Sequence, residues 1–189
     1  RGIDIASRSQ GDVGKGTPLS RSSGKNNFSH FNLDTTYAVA LDKNLEFNIN
    51  TGGQLSLDDL LNSEQSSISG PDKLSGFTSG SISGDESWYF RGQLNYKKKL
   101  SNKLTLTPYV YGATGVSYTL TPTATENRAT AAKSIGLGLK MDGIDNYFFD
   151  KNISAKVEYS KNWATGVLED VSDVRLNKQH LLVNLAMNF

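Results

Sequence analysis

The chain of 189 residues contains no cysteine, which excludes disulfides, cysteine-based zinc sites and thiol nucleophiles together. It also has no apolar run that reaches the ~18 residues a membrane-spanning helix needs, and its mean hydropathy is only −0.43. The formal net charge of +1 provides no basic stripe for phosphates, which argues against nucleic-acid binding. The length fits one domain. The fold must therefore be read from residue patterning.

Apolar and polar residues alternate along most of the chain, which is the pattern of strands with one buried face. Residues 31–41 are the clearest example. The same pattern predicts eight strands, at 3–5, 31–41, 45–49, 88–96, 104–120, 135–141, 153–159 and 181–189. Several approach the ~9–11 residues of a tilted membrane strand. A low mean hydropathy agrees with such strands, because only alternate residues face lipid.

The predicted connections alternate between long and short. Counted from the C-terminus, they are 160–177 (long), 143–152 (shorter), 121–132 (longer), 98–103 (tight), 51–86 (very long), 42–44 (tight) and 9–27 (long). Outer-membrane barrels have short periplasmic turns and longer external loops. The pattern therefore predicts an all-β, transmembrane antiparallel β-barrel in the bacterial outer membrane, with Phe189 at the periplasmic end.

A soluble lipocalin-like barrel or sandwich would show the same period with its apolar face inward. Two features favour the membrane. The predicted inner face carries charges of both signs that suit a wet lumen: Asp34, Glu46, Arg91, Lys140, Lys156 and Glu158. Aromatic residues also gather near predicted strand ends, as interfacial girdles do: Trp88, Tyr96, Tyr118, Tyr159 and Trp163.

Motifs of catalysis and cofactor binding fail on inspection. The segment 11–17 looks like a phosphate loop, but a glycine stands where Ser or Thr must follow the lysine. The segment 80–84 lacks the central serine of a nucleophile elbow. His30 and His180 are the only histidines, and we interpret them as residues at the membrane–water interface. The alternative is a catalytic dyad of a histidine with a loop serine. We therefore predict no enzyme, no catalytic residue, no metal and no cofactor.

Residues 54–96 carry several short motifs in a fixed order. These are LLNSEQ at 60–65, GPDKLSGF at 70–77 and SGD at 83–85, followed by an aromatic-rich strand. The segment resembles the outer-membrane transporters of two-partner secretion, the TpsB-like hemolysin secretion/activation family of the POTRA-barrel superfamily. The likeness extends more weakly over most of the chain.

This resemblance implies a barrel of sixteen strands preceded by periplasmic POTRA domains. The chain would form the C-terminal half of that barrel, with the POTRA domains and a signal peptide lying outside residues 1–189. The family's lumen loop bears a Val-Arg-Gly-Phe motif, which falls here on Leu74, Ser75, Gly76 and Phe77. A facing strand motif, Phe-x-Asp-x-Gly, falls on Tyr111, Ala113 and Gly115.

The chain departs from the family at two positions. The family's arginine and aspartate pair inside the barrel, whereas Ser75 and Ala113 stand at these positions here. Loss of one partner would leave an unpaired buried charge at a cost of about 3–5 kcal/mol, but loss of both leaves none. We therefore expect the loop to enter the lumen, held by aromatic packing and weaker hydrogen bonds. A degenerate, solvated external hairpin is the alternative.

The resemblance implies translocation of a secreted partner exoprotein, of the hemolysin or adhesin type, through the barrel. The alternatives are an outer-membrane protein insertase of the same superfamily and a closed eight-stranded structural or adhesive barrel, whose interior would exclude the long loop. The expected partners are the exoprotein, outer-membrane lipids or lipopolysaccharide, and the barrel-assembly machinery, for which Phe189 would be the signal; nucleic acid is not expected. The identity of the exoprotein and the oligomeric state do not follow from the sequence.

Overall fold

The computed structural model describes residues 2–3, 21, 23–25, 27–101, 104–123, 126–145, 152–168 and 171–187. Strands are its only regular elements within these ranges. No helix that is long and apolar enough to cross a membrane occurs among them. The prediction of an all-β fold is confirmed.

Seven long strands form one antiparallel sheet. They are β3 (His30–Ala40), β4 (Leu45–Ser56), β7 (Glu86–Tyr96), β9 (Thr105–Tyr118), β10 (Ala129–Asp145), β11 (Asn152–Leu168) and β12 (Val171–Met187). Five short pieces accompany them: β1 (Gly2–Ile3), β2 (Asn27–Phe28), β5 (Ser66–Ser67), β6 (Ser83–Gly84) and β8 (Lys98–Lys99). The long strands are ordered β3-β4-β7-β9-β10-β11-β12, so each pairs with the next long strand of the chain. This is the up-and-down order that the sequence pattern predicts.

Some predicted boundaries are wrong. The strand predicted at 3–5 begins one residue earlier, as Gly2–Ile3 paired with Asn27–Phe28, and residues 4–5 lie outside the described residues. The connection predicted at 51–86 begins later, because β4 continues to Ser56. The connection predicted at 160–177 is mostly strand, since β11 and β12 are separated only by residues 169–170. Pairing between strands satisfies the backbone N–H and carbonyl groups whatever the side chains are. The strands therefore continue beyond the residues that alternate between apolar and polar.

The two faces of the sheet differ sharply in polarity. The outer face carries apolar side chains that are 55–65% exposed, among them Phe31, Leu33, Tyr37, Val110, Leu137 and Val183. The inner face carries buried polar side chains, among them Gln54, Ser87, Arg91, Ser117, Ser134 and Asn162. A soluble barrel or sandwich buries its apolar face, so the soluble alternative is wrong. The observed arrangement suits a sheet whose outer face meets lipid.

Residues 57–85, here called the inner loop, fold back over the inner face. Ile68, Leu74 and Ile82 of this loop are buried in one apolar cluster with side chains of the sheet. The sheet contributes Tyr89, Tyr109, Tyr111, Ala113, Ala132 and Ala164. The three alanines leave room for the loop, so the core of the protein lies between the loop and the inner face.

The opposite polarity of the two faces is testable at neighbouring positions of β12. Val183 lies on the outer face, and the adjacent Asn184 lies on the inner face opposite Lys156. We expect Val183→Lys to destabilise the protein folded in lipid vesicles by about 2–4 kcal/mol, because the charge would enter hydrocarbon. Asn184→Lys should cost no more than about 1 kcal/mol, which is the repulsion expected from Lys156 directly opposite on the polar inner face. Urea unfolding in vesicles measures both, and equal effects would contradict the assignment of faces.

Candidate functional site

The tip of the inner loop, residues 69–82, meets the middle of the inner face. The structure brings together the two segments that the sequence singled out: Leu74, Ser75, Gly76 and Phe77 of the loop, and Tyr111, Ala113 and Gly115 of β9. Six of these residues are buried, and Phe77 is half-buried against the apolar cluster. The loop is therefore not the solvated external hairpin that the sequence left as an alternative.

Two consecutive turns shape the tip. The backbone N–H of Lys73 donates to the carbonyl of Gly70 at 3.1 Å, and that of Phe77 donates to the carbonyl of Leu74 at 3.1 Å. The second turn presses Gly76 against the Asn162 side chain of β11, where any added Cβ would overlap the carboxamide. Glycine is needed at this position because the loop approaches the sheet so closely.

Ser75 lies between two buried charges of opposite sign. Its hydroxyl donates to Glu158 Oε1 and accepts a hydrogen bond from Arg91 Nη1 at 2.6 Å. Arg91 and Glu158 also pair directly, with 3.2 Å between Nη2 and Oε2 and side-chain exposures of 2% and 1%. Both charges belong to strands of the sheet, and only the hydroxyl between them belongs to the loop.

The remaining polar atoms of Arg91 are also satisfied. Its Nε and Nη2 donate to Gln93 Oε1 at 3.2 and 2.7 Å, and Nη1 donates to the carbonyl of Lys73 at 3.2 Å. The guanidinium carbon lies 3.7 Å from the centroid of the Tyr111 ring, in a cation–π contact. A buried guanidinium with this many partners recovers much of its desolvation cost.

Glu158 is held by two further side chains. Tyr109 donates its hydroxyl hydrogen to Oε2 at 2.7 Å, and Lys156 Nζ lies 3.3 Å from the same oxygen. A neutral chain continues beside it, in which Ser134 donates to Asn162 at 2.6 Å and lies 3.1 Å from the Tyr111 hydroxyl. The inner face of the sheet beneath the tip, here called the wall, therefore carries one connected polar network.

The expectation that the loop is held by aromatic packing and by hydrogen bonds, without a charge of its own, agrees with this geometry. The bonds to Ser75 are charge-assisted, because its partners Arg91 and Glu158 are ionised groups. Arg91 reaches the tip because it lies directly opposite Ala113 in the register of β7 and β9. The charges that are missing at Ser75 and Ala113 are supplied by two other strands, through Arg91 of β7 and Glu158 of β11. Sequence spacing alone does not show this, since the pairing register of two strands is set by the fold.

The base of the inner loop contains a second buried ion pair, which the sequence patterns did not indicate. Arg21 Nη1 lies 2.8 Å from both carboxylate oxygens of Asp85, and the two side chains are almost fully buried. Asp85 also accepts hydrogen bonds from the backbone N–H groups of Leu60 at 3.1 Å and Leu120 at 2.8 Å. The SGD motif before β7 indicated the aspartate, but nothing in the sequence indicated its partner.

The base has a polar rim at the same end of the sheet. Lys25 Nζ lies 3.0 Å from Asp58 Oδ1, and the backbone N–H of Ser29 donates to Asp58 Oδ2 at 3.1 Å. The hydrogen bond from Lys25 and that from Ser29 hold the pKa of Asp58 below its ordinary value. The base is therefore tied to the segment preceding β3 both inside and at its surface.

The other charges predicted for the lumen also lie on the inner face. Asp34 accepts a hydrogen bond from the Tyr89 hydroxyl at 2.7 Å, and Glu46 pairs with Lys97 at 2.7 Å. Lys140 pairs with Asp142 at 3.1 Å. A polar cavity of about 320 Å³ separates the loop residue Asp72 from these strands; Glu46, Lys97, Lys140 and Lys156 are among its lining residues. Arg91 and Glu158, in contrast, are covered by the loop.

The remaining predicted residues do not join this site. His30 begins β3 and His180 lies within β12, so the two histidines sit on the opposite edge strands and His180 is not at a strand start. Phe189 lies outside the described residues. No group of three or more metal-ligating side chains occurs in the part of the chain that the structure describes.

The buried ion pair beneath the tip should show strong coupling. Glu158→Gln would leave the Arg91 charge buried without its counter-ion and should destabilise the protein by about 3–5 kcal/mol. The double variant Arg91→Gln/Glu158→Gln should lose clearly less than the sum of the single variants. A matched cycle on the exposed Lys97–Glu46 pair should give less than about 1 kcal/mol of coupling. Urea unfolding in vesicles measures both cycles, and additive losses at Arg91 and Glu158 would contradict the assignment.

The family model described as haemolysin secretion/activation protein ShlB/FhaC/HecB matches residues 3–141, which is most of the chain. No curated protein and no solved structure matches significantly. The matched region includes the inner loop, its base at Asp85 and the facing strand β9. The chain belongs to the haemolysin secretion/activation family, whose members are outer-membrane transporters that secrete and activate partner exoproteins.

Proposed function

We propose that this chain forms part of the channel through which an exoprotein of the haemolysin or adhesin type crosses the outer membrane, with the inner loop as a displaceable plug. The observation that carries this proposal is the way the tip is attached. Its contacts with the wall are made through side chains: from Arg91 to the carbonyl of Lys73, from Asn50 to the carbonyl of Asp72, and from Arg91 and Glu158 to Ser75. Displacing the tip therefore breaks no strand pairing of the sheet.

The energy of displacement depends on where the charges are. If the loop carried one member of the ion pair, its departure would leave two buried charges unpaired, at about 3–5 kcal/mol. Here Arg91 and Glu158 are 3.2 Å apart on the wall and remain together when Ser75 leaves. The loss at Ser75 is that of hydrogen bonds to charged groups, about 1.5–3 kcal/mol each. A passing polypeptide could replace these bonds with its own.

The inner face has the chemistry of a polar conduit. Charges of both signs lie along it, and several are already paired, such as Glu46 with Lys97 and Lys140 with Asp142. A surface of mixed sign avoids strong ion selectivity and limits adhesion to a passing chain. The proposed mechanism needs no catalytic residue, because the wall only has to solvate the moving backbone and side chains.

The closed eight-stranded barrel of the sequence analysis fits this geometry poorly. Side chains alone fill the interior of a barrel of about eight strands. The inner loop occupies the inner face instead, and no pairing joins β3 to β12 within the described residues. We therefore propose that these two edges pair with further strands in the membrane, where open edges are prohibitive. The insertase alternative has no specific support in the site.

A disulfide between the tip and the wall tests the proposal. The chain has no native cysteine, so the pair Gly76→Cys/Asn162→Cys introduces the only two thiols. A Cβ added at Gly76 would overlap the Asn162 carboxamide, and Asn162→Cys replaces that group with a thiol within reach of the other. We expect the oxidised protein to stop secreting its exoprotein and to lose conductance in planar bilayers, because the plug is fixed. Reduction should restore both activities. The controls are the reduced pair and Asn162→Cys alone, because Gly76→Cys alone would overlap the Asn162 carboxamide. Normal secretion by the oxidised pair would overturn the proposal.

A further inference from the structure

Two lysines interrupt the apolar outer face. Lys133 of β10 and Lys161 of β11 are exposed, whereas their chain neighbours Ala132, Ser134 and Asn162 are buried on the inner face. Because side chains alternate along a strand, both lysines point outward toward lipid. A charge on that face is costly at the bilayer midplane and close to neutral near the interface. Their level in the membrane therefore decides what they can contact.

Both lysines lie at the boundary of the apolar band. On one side of the lysines, toward the 146–151 connection, the outer face is apolar. Ile135 and Leu137 are the next outward residues of β10, and Tyr159 and Val157 are the next outward residues of β11. The other neighbour of Lys161 on this face is Trp163, an aromatic residue typical of the membrane interface. The apolar residues continue from the lysines toward the end of the sheet that carries the short turn at 41–44. Short turns of outer-membrane barrels are periplasmic, so this end faces the periplasm. The lysines therefore face the outer leaflet.

The pairing register brings the two lysines together. Lys133 lies directly opposite Trp163, and Lys161 lies opposite Ile135, so the lysines are diagonal neighbours on one face. Lys161 Nζ is 5.4 Å from the centroid of the Trp163 ring. Among the described residues, neither lysine has a carboxylate within ion-pair distance. Two adjacent like charges without a counter-ion repel each other, and an anion between them would remove that repulsion.

We infer that Lys133, Lys161 and Trp163 form a binding site for a phosphorylated glycolipid of the outer leaflet. The phosphate lies between the two ammonium groups, and the acyl chains lie along Ile135 and Leu137 below. The geometry favours a lipid over a free phosphate, because the charged atoms stand directly above an apolar surface rather than in a polar pocket. The inference is independent of the proposed plug, since all three residues lie on the opposite face of the sheet.

Lipid retention by the purified, folded protein tests this site. The protein is reconstituted in vesicles that contain lipid A, transferred to mild detergent, and the bound lipid A per chain is counted by native mass spectrometry. We expect Lys133→Gln/Lys161→Gln to lower the retained lipid A by roughly tenfold or more, as two lysines at an anionic surface would. The matched control is Lys98→Gln/Lys99→Gln, which removes the same charge from exposed positions near the opposite end of the strands and should retain lipid A normally.

Three further comparisons make the result decisive. Lys133→Arg/Lys161→Arg should retain lipid A, because the positive charge is kept. Lipid A without its phosphates should bind equally and weakly to the original protein and the glutamine variant. Inorganic phosphate should not compete at concentrations that leave lipid A bound. Equal losses in both glutamine pairs, or full competition by inorganic phosphate, would overturn the inference; heat-dependent mobility on gels confirms that each variant is folded.

Discussion

The pair formed by Arg91 and Glu158 determines how the inner loop can dock. Both charges are buried, and Arg91 needs Glu158 because an unpaired guanidinium in this environment is costly, whereas Glu158 also contacts Lys156. Their separation across β7 and β11 leaves space for one small hydroxyl group, which Ser75 fills. The loop therefore closes over a charge pair that the sheet holds together, and the polar network around it organises the inner face.

The base and the tip of the inner loop are attached by different kinds of interaction. At the base, Asp85 draws Arg21 and two backbone N–H groups into one buried cluster, so separating it would expose an ion pair. At the tip, the loop offers a serine, backbone carbonyls and apolar side chains to the wall. Within many proteins the free energy of local opening is lower for segments with fewer buried contacts, and such segments are the ones that move. Here that segment is the tip, which lies over the polar inner face of the sheet.

Alternation along the strands was enough to predict the sheet and the polarity of both faces, because period-two patterning reports directly which side chains share a face. It could not predict that β11 and β12 run on through 160–177, since backbone pairing outlasts the apolar pattern. The motif positions Ser75 and Ala113 were identified from the sequence, whereas the partners of Ser75 were not. Arg91, Glu158 and Arg21 reach their partners through register and loop folding, and these long-range relations leave no local signature.

The length of β11 and β12 has a consequence at the cell surface. Each strand has 17 residues, whereas about 9–11 are needed to cross the hydrocarbon layer. With the short turns on the periplasmic side, as expected from the loop lengths, we place the excess at the 169–170 end beyond Trp163, where a paired ribbon would stand above the lipid. Several residues at ~3.3 Å each give it a reach on the order of 20 Å. Antibodies, phages and external proteases approaching the bacterium would meet this ribbon before they meet the barrel.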